Sequence, residues 1–156
     1  MTHYLHFTFG PVQSFVAQAR RTRDLYAGSL LLSHLAMSAM HGIPNPQEAV
    51  VLPAFKELAD IESDSEHASA PNRFTAKFAS QHEAVEAASK AQAAFLGAWR
   101  KIADAVWKKF LEGHSSLGCG TADIWERQVE NFWQISWVIT EGDEPNALDR
   151  RKNWQT

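Results

Sequence analysis

The sequence predicts an α+β domain, a ferredoxin-like βαββαβ sandwich in which one antiparallel sheet carries helices on one face. Three observations predict it. The chain opens and closes with period-two apolar patterns, at Leu5, Phe7, Phe9 and at Trp133, Ile135, Trp137, Ile139. Between them runs one long helical stripe, Val85, Ala88, Phe95, Trp99, Ile102, Val106 and Phe110. Shorter strand and helix signals fill the remaining places in the order strand, helix, strand, strand, helix, strand.

Each element has its own signal. Tyr4, His6 and Thr8 alternate with the first apolar set, so the opening strand is expected to bury one face. Gly10-Pro11 ends that strand, and Pro11 suits a helix start because it has no N–H to leave unpaired. Val12, Phe15, Val16 and Ala19 then follow at helical spacing, and a second helical pattern covers Leu25 to Met40, with Gly28 between the two. The turn-rich His41–Pro46 run closes this half. Val50-Val51-Leu52 is a short second strand ending at Pro53, the acidic Glu57–Ala70 stretch a solvated loop, and Pro71–Phe78 a third strand. After the long helix Gly113 is a natural C-terminal cap, and Asp123 is expected to cap a short helix through Glu130. Residues 1–142 read as one domain, and 143–156 as a polar tail.

Composition narrows the function classes. The 156 residues suffice for one hydrophobic core. Fifteen basic against eighteen acidic residues give a net charge of −3, which argues against a free-standing nucleic-acid binder. Six tryptophans and nine phenylalanines must be buried or face a partner. Cys119 is the single cysteine, so neither an internal disulfide nor a CxxC zinc site is possible within the chain. No secretory signal is visible at Met1–Tyr4, and the apolar Leu30–Met40 stretch is too short and too interrupted to span a bilayer. A soluble, cytoplasmic protein without a membrane partner is expected.

Four segments carry a family resemblance: the unbroken run from Gly10 to Ser29 (GPVQSFVAQARRTRDLYAGS), Pro71-Asn72-Arg73-Phe74, the Trp125–Trp137 stretch with Gln128, Phe132 and Trp133, and Arg150-Arg151-Lys152-Asn153-Trp154. Together they resemble the N-terminal region of the large subunit of type III-B (Cmr-type) CRISPR effector complexes. The resemblance implies a palm-like domain related to nucleotide cyclases, in a protein that acts in antiviral defence. It also implies a second palm with a GGDD motif that binds metal and makes cyclic oligoadenylate from ATP when target RNA is bound. A zinc-binding segment and, in many members, an HD nuclease domain complete that family pattern. This chain shows no GGDD, no His-Asp dipeptide and no cysteine cluster, so it is expected to be a detached N-terminal part that is not an enzyme by itself. Its implied partners are the rest of the large subunit, neighbouring effector subunits and, indirectly, guide or target RNA.

A cyclase palm needs carboxylates on its first strand and at its central hairpin, because two divalent cations must be held against a triphosphate. Here the first strand offers His6, Thr8 and Phe9, and the hairpin Asn72 and Arg73, so no metal site and no catalytic residue is expected. The same surface is a candidate anion holder: Gly10, Pro11, Val12 and Gln13 at a strand-to-helix turn, with Asn72 and with Arg73 as the cation. On this reading it holds the phosphates of an ATP in the full subunit; the bland alternative is a tight turn. Arg20, Arg21, Arg23 and Asp24 cluster at the expected end of the first helix. Arg20 reads as solvated, and Arg21 and Arg23 remain candidates for an RNA or subunit contact beside an ordinary Arg–Asp pair.

Trp133 and Trp137 are expected in the core, whereas Trp107 lies off the main stripe and is a candidate exposed contact with the second palm. His3 and His6 fall on opposite strand faces, and neither they nor His41, His67, His82 and His114 have ligand spacing. A catalytic role for Cys119 finds no base partner. The alternative of a different class is a stand-alone ferredoxin-like domain that binds a small molecule or a regulator.

Overall fold

The structure is a computed structural model that describes residues 1–53, 70–114 and 117–142. The expected acidic loop, apart from Ala70, and the 143–156 tail with its Arg150–Lys152 run lie outside the described residues. The elements are β1 (His3–Gly10), α1 (Val12–Val16), α2 (Thr22–His41), α3 (Pro46–Ala49), β2 (Val50–Leu52), β3 (Arg73–Phe78), α4 (Gln81–Phe110), α5 (Thr121–Asn131) and β4 (Gln134–Glu141). The four strands form one sheet in the order β2-β3-β1-β4, with every neighbouring pair antiparallel. Each βαβ half thus receives a strand of the other half between its own two strands, the arrangement expected of a ferredoxin-like fold.

The core lies between the sheet and α2 and α4. Leu5, Phe7 and Phe9 of β1 point into it beside Phe74 and Ala76 of β3, and the Phe7 and Phe74 rings stack at 4.8 Å. Leu35, Ala36, Ala39 and Met40 of α2 close it from above, together with Ala87, Ala88, Ala91 and Phe95 of α4. Alanines on α4 let the helices and sheet approach closely. Gly42, which caps α2, completes this: a β-carbon there would lie 2.7 Å from Ala94 Cβ and 2.8 Å from the Lys90 carbonyl oxygen. α4 starts on Ser80, whose hydroxyl accepts from the Glu83 N–H, while Glu83 accepts from the Ala79 N–H.

Several sequence expectations are corrected. β1 buries both faces: Tyr4 and His6 are as inaccessible as the apolar set. His6 tolerates this because its ring nitrogens lie 3.1 Å from Thr75 Oγ1 and 3.0 Å from Thr140 Oγ1, hydroxyls that serve as donor or acceptor as required. The first helix ends at Val16 rather than running on through Ala19, and Gly28 sits inside α2 facing the Phe15 ring. Asp123 is not the cap of α5; Gly120, left-handed at φ 83°, holds that position, with Asp123 in the first turn near the positive helix end. Val85, Val106 and Phe110 are exposed although they fall on the predicted core stripe.

Trp137 is also exposed, at 37 %: it pairs with Phe7 but sits on β4, an edge strand with a neighbour on one side only. Trp133 does belong to the core, as the hub of an aromatic cluster with Phe9, Phe15, Phe95, Trp99 and Phe132 at centroid distances of 4.7–5.7 Å.

Candidate functional site

The β1–α1 turn brings Gly10, Pro11, Val12 and Gln13 to one end of the sheet. β3 enters the sheet at the same end, because antiparallel pairing sets Thr8 opposite Arg73. β4 begins there too, with Gln134 opposite Gly10. The six residues singled out from sequence therefore line one open depression of about 710 Å³, together with Thr8, Phe9, Ser14, Gln134 and Ser136.

Its polar groups are fixed unevenly. Asn72 is clipped to β1: its side-chain amide donates to the Phe9 carbonyl at 3.2 Å, and its own carbonyl accepts from the Phe9 N–H at 3.2 Å. Asn72 is thereby a builder of the rim. Arg73 is exposed, makes no ion pair among the described residues, and is the only charged group among the described lining residues. α1 has five residues, too short for aligned peptide dipoles to sum to a useful field. What remains for an anion is the Arg73 guanidinium with neutral amides and hydroxyls around it.

The donor set does not suit a divalent cation. The described lining residues include no carboxylate, whereas protein sites for Mg²⁺ and Ca²⁺ are generally built on at least one, completed by carbonyls and water. Among the described residues no group of three or more His, Cys, Asp or Glu is placed to hold a metal ion. Cys119 is free and exposed.

The other candidates separate from this end. Arg21 is the extended residue before α2, and Arg23 lies in its first turn, 3.7 Å from Asp24 with both side chains exposed. They begin the second helix rather than ending the first. Trp107 is half-buried, with its ring 5.7 Å from that of Trp125, so it takes part in the α4–α5 contact.

That contact is held by a device the sequence pattern did not reveal. Arg100 forks onto Glu126 at 2.6 and 2.8 Å and also reaches Glu130 and Asp104. The bond holds the Glu126 carboxyl below the usual carboxylate range and pushes the Arg100 guanidinium higher. The Trp99 indole donates to the Val129 carbonyl at 2.9 Å beside it. Arg100 and Glu126 are 26 residues apart, beyond any local charge rule.

With this geometry in place, comparison with known proteins is decisive at one level. The family described as CRISPR-associated protein Cmr2, N-terminal, matches residues 4–104, from β1 through most of α4. The chain belongs to that family. It is thus a domain of the large subunit of type III-B CRISPR effectors, a multi-subunit assembly. The Cmr2 match takes in every residue of the depression except Gln134 and Ser136. No curated protein matches the chain. No helix among the described residues is long and apolar enough to cross a membrane.

Proposed function

We propose that this Cmr2 domain is a non-catalytic palm whose sheet-end depression holds the phosphates of an ATP against a GGDD-bearing palm elsewhere in the large subunit. The observation that carries the reading is the convergence of Gly10–Gln13 with Asn72 and Arg73 around a single cation, without a carboxylate. A polyphosphate there meets one guanidinium and neutral donors, and brings its own Mg²⁺ to be held by the other palm. The domain then contributes binding and orientation, and no step of bond making. It works in the cytoplasm, docks neighbouring effector subunits and meets guide or target RNA only through them.

The test is an ATP titration of the large subunit assembled from this chain and its remainder, with Arg73→Ala and Arg73→Glu compared to the parent. A charge-assisted phosphate contact of about 1.5–3 kcal/mol makes Arg73→Ala bind about ten- to a hundredfold more weakly, with Arg73→Glu weaker still. Unchanged affinity in both variants overturns the reading.

A further inference from the structure

α4 carries two stripes. The inner one, from Ala84 to Phe95, is sealed against the sheet and α2. A second begins at Ala94 and recurs every four residues through Ala98, Ile102, Val106 and Phe110. With His34 and Ser38 of α2 it lines an open groove of about 720 Å³. The stripe runs from 94 to 110, about 24 Å at 1.5 Å per residue. Val106 is 36 % and Phe110 57 % exposed, and a β-carbon added at Gly97 would meet nothing within 4 Å.

The charge around this floor has one sign. Lys101 and Lys109 of α4 and His34 of α2 line the groove, with no carboxylate among the described lining residues. Neither lysine has an ion-pair partner among the described residues, and Lys109 Nζ lies 5.3 Å from the Phe110 ring centre. Small residues in the floor allow another helix backbone to come close, as helix-in-groove recognition requires.

We infer that the α2–α4 groove is a docking site for an amphipathic helix of another protein chain, about four turns long, with apolar anchors flanked by Asp or Glu. A second copy of this chain fits poorly, because its own stripe would bring lysines against lysines. An RNA strand would leave the apolar floor unused, since phosphates find only the two lysines there. The groove is built from α2 and α4 residues that take no part in the sheet-end depression, so the inference stands apart from the nucleotide reading.

The experiment uses the full chain and a stapled helical peptide of about 16 residues, the length matching the stripe. One version has a leucine stripe flanked by glutamates, the other the same stripe flanked by lysines, and binding is read by fluorescence anisotropy. The glutamate version is expected to bind about tenfold more tightly, and Lys101→Glu/Lys109→Glu is expected to reverse that preference. Gly97→Leu blocks the groove and abolishes binding while leaving the melting temperature unchanged or higher, since its side chain enters open space. Equal affinity for the two peptides overturns the inference. So does self-association in sedimentation equilibrium that Gly97→Leu removes, which assigns the groove to a second copy. Binding of polyuridine lost in the lysine double variant, without peptide binding, assigns it to RNA.

Discussion

Two glycines with ordinary helical surroundings should respond oppositely to the same added methyl group. At Gly42 the new β-carbon meets Ala94 Cβ at 2.7 Å and the Lys90 carbonyl at 2.8 Å. Carbon atoms prefer about 3.5–4.0 Å, so α2 and α4 must part locally by nearly an ångström. Overpacking of this kind costs about 1–3 kcal/mol, while Gly→Ala returns about 0.4–1 kcal/mol by restricting the unfolded chain. The net expectation for Gly42→Ala is a loss of about 1–2 kcal/mol, read as a Tm lower by about 2–8 °C in circular dichroism melts. Gly97→Ala, with open space around it, should instead raise Tm, since alanine is the better helix former by about 1 kcal/mol. In the double variant Gly42→Ala/Ala94→Gly the shorter contact disappears while that to the Lys90 carbonyl persists. The double should therefore lose less than the sum of its singles, without returning to the parent. A Gly42→Ala protein as stable as the parent refutes the closeness of α2 and α4 on which this reasoning rests.

Other perturbations test the core and its electrostatic clasp. Phe95→Ala removes a fully buried ring 4.7 Å from Phe9 and 5.6 Å from Trp133, and should cost about 3–5 kcal/mol in urea unfolding, with loss of near-UV dichroism from the tryptophan cluster. Glu126→Gln should lower Tm slightly at neutral pH, because the Arg100 bond keeps the folded-state carboxyl below its usual range. A depressed carboxyl stabilises above its unfolded-state pKa and loses that contribution as pH falls. The gap between parent and variant should therefore close in acid, below the ordinary carboxylate range, and shrink with added salt. A gap that persists in acid would show that Glu126 acts through packing rather than charge.

Much of the fold was legible because its signals are local. Leu5, Phe7 and Phe9 alternate, Gly10-Pro11 ends the strand, and Val50-Val51-Leu52 is a short apolar run that stops at Pro53. The errors arise where burial depends on what lies across the molecule. α4 has 30 residues and is about 45 Å long, whereas an eight-residue strand such as β1 covers about 27 Å. The helix outruns the sheet, so Val106 and Phe110 keep the core spacing without a core beneath them. Trp137 fails for the related reason that an edge strand is only half covered. His6 is buried where its polar ring suggested solvent, since Thr75 and Thr140, 69 and 134 residues away, supply its partners. The candidate site was legible as residues because a turn and a short motif mark it. That Gly10–Gln13 and Asn72–Arg73 meet follows only from the pairing of β1 with β3.

Phe9 belongs to two places at once. Its backbone forms part of the depression and is clasped by Asn72, while its ring leans on Phe95 and on the indole of Trp133. Surface and interior share a single residue there, with no hinge or loop between them to absorb a displacement. Whatever shifts the rim also shifts one wall around a buried fluorophore. The domain thus contains a built-in optical gauge of its own outer edge.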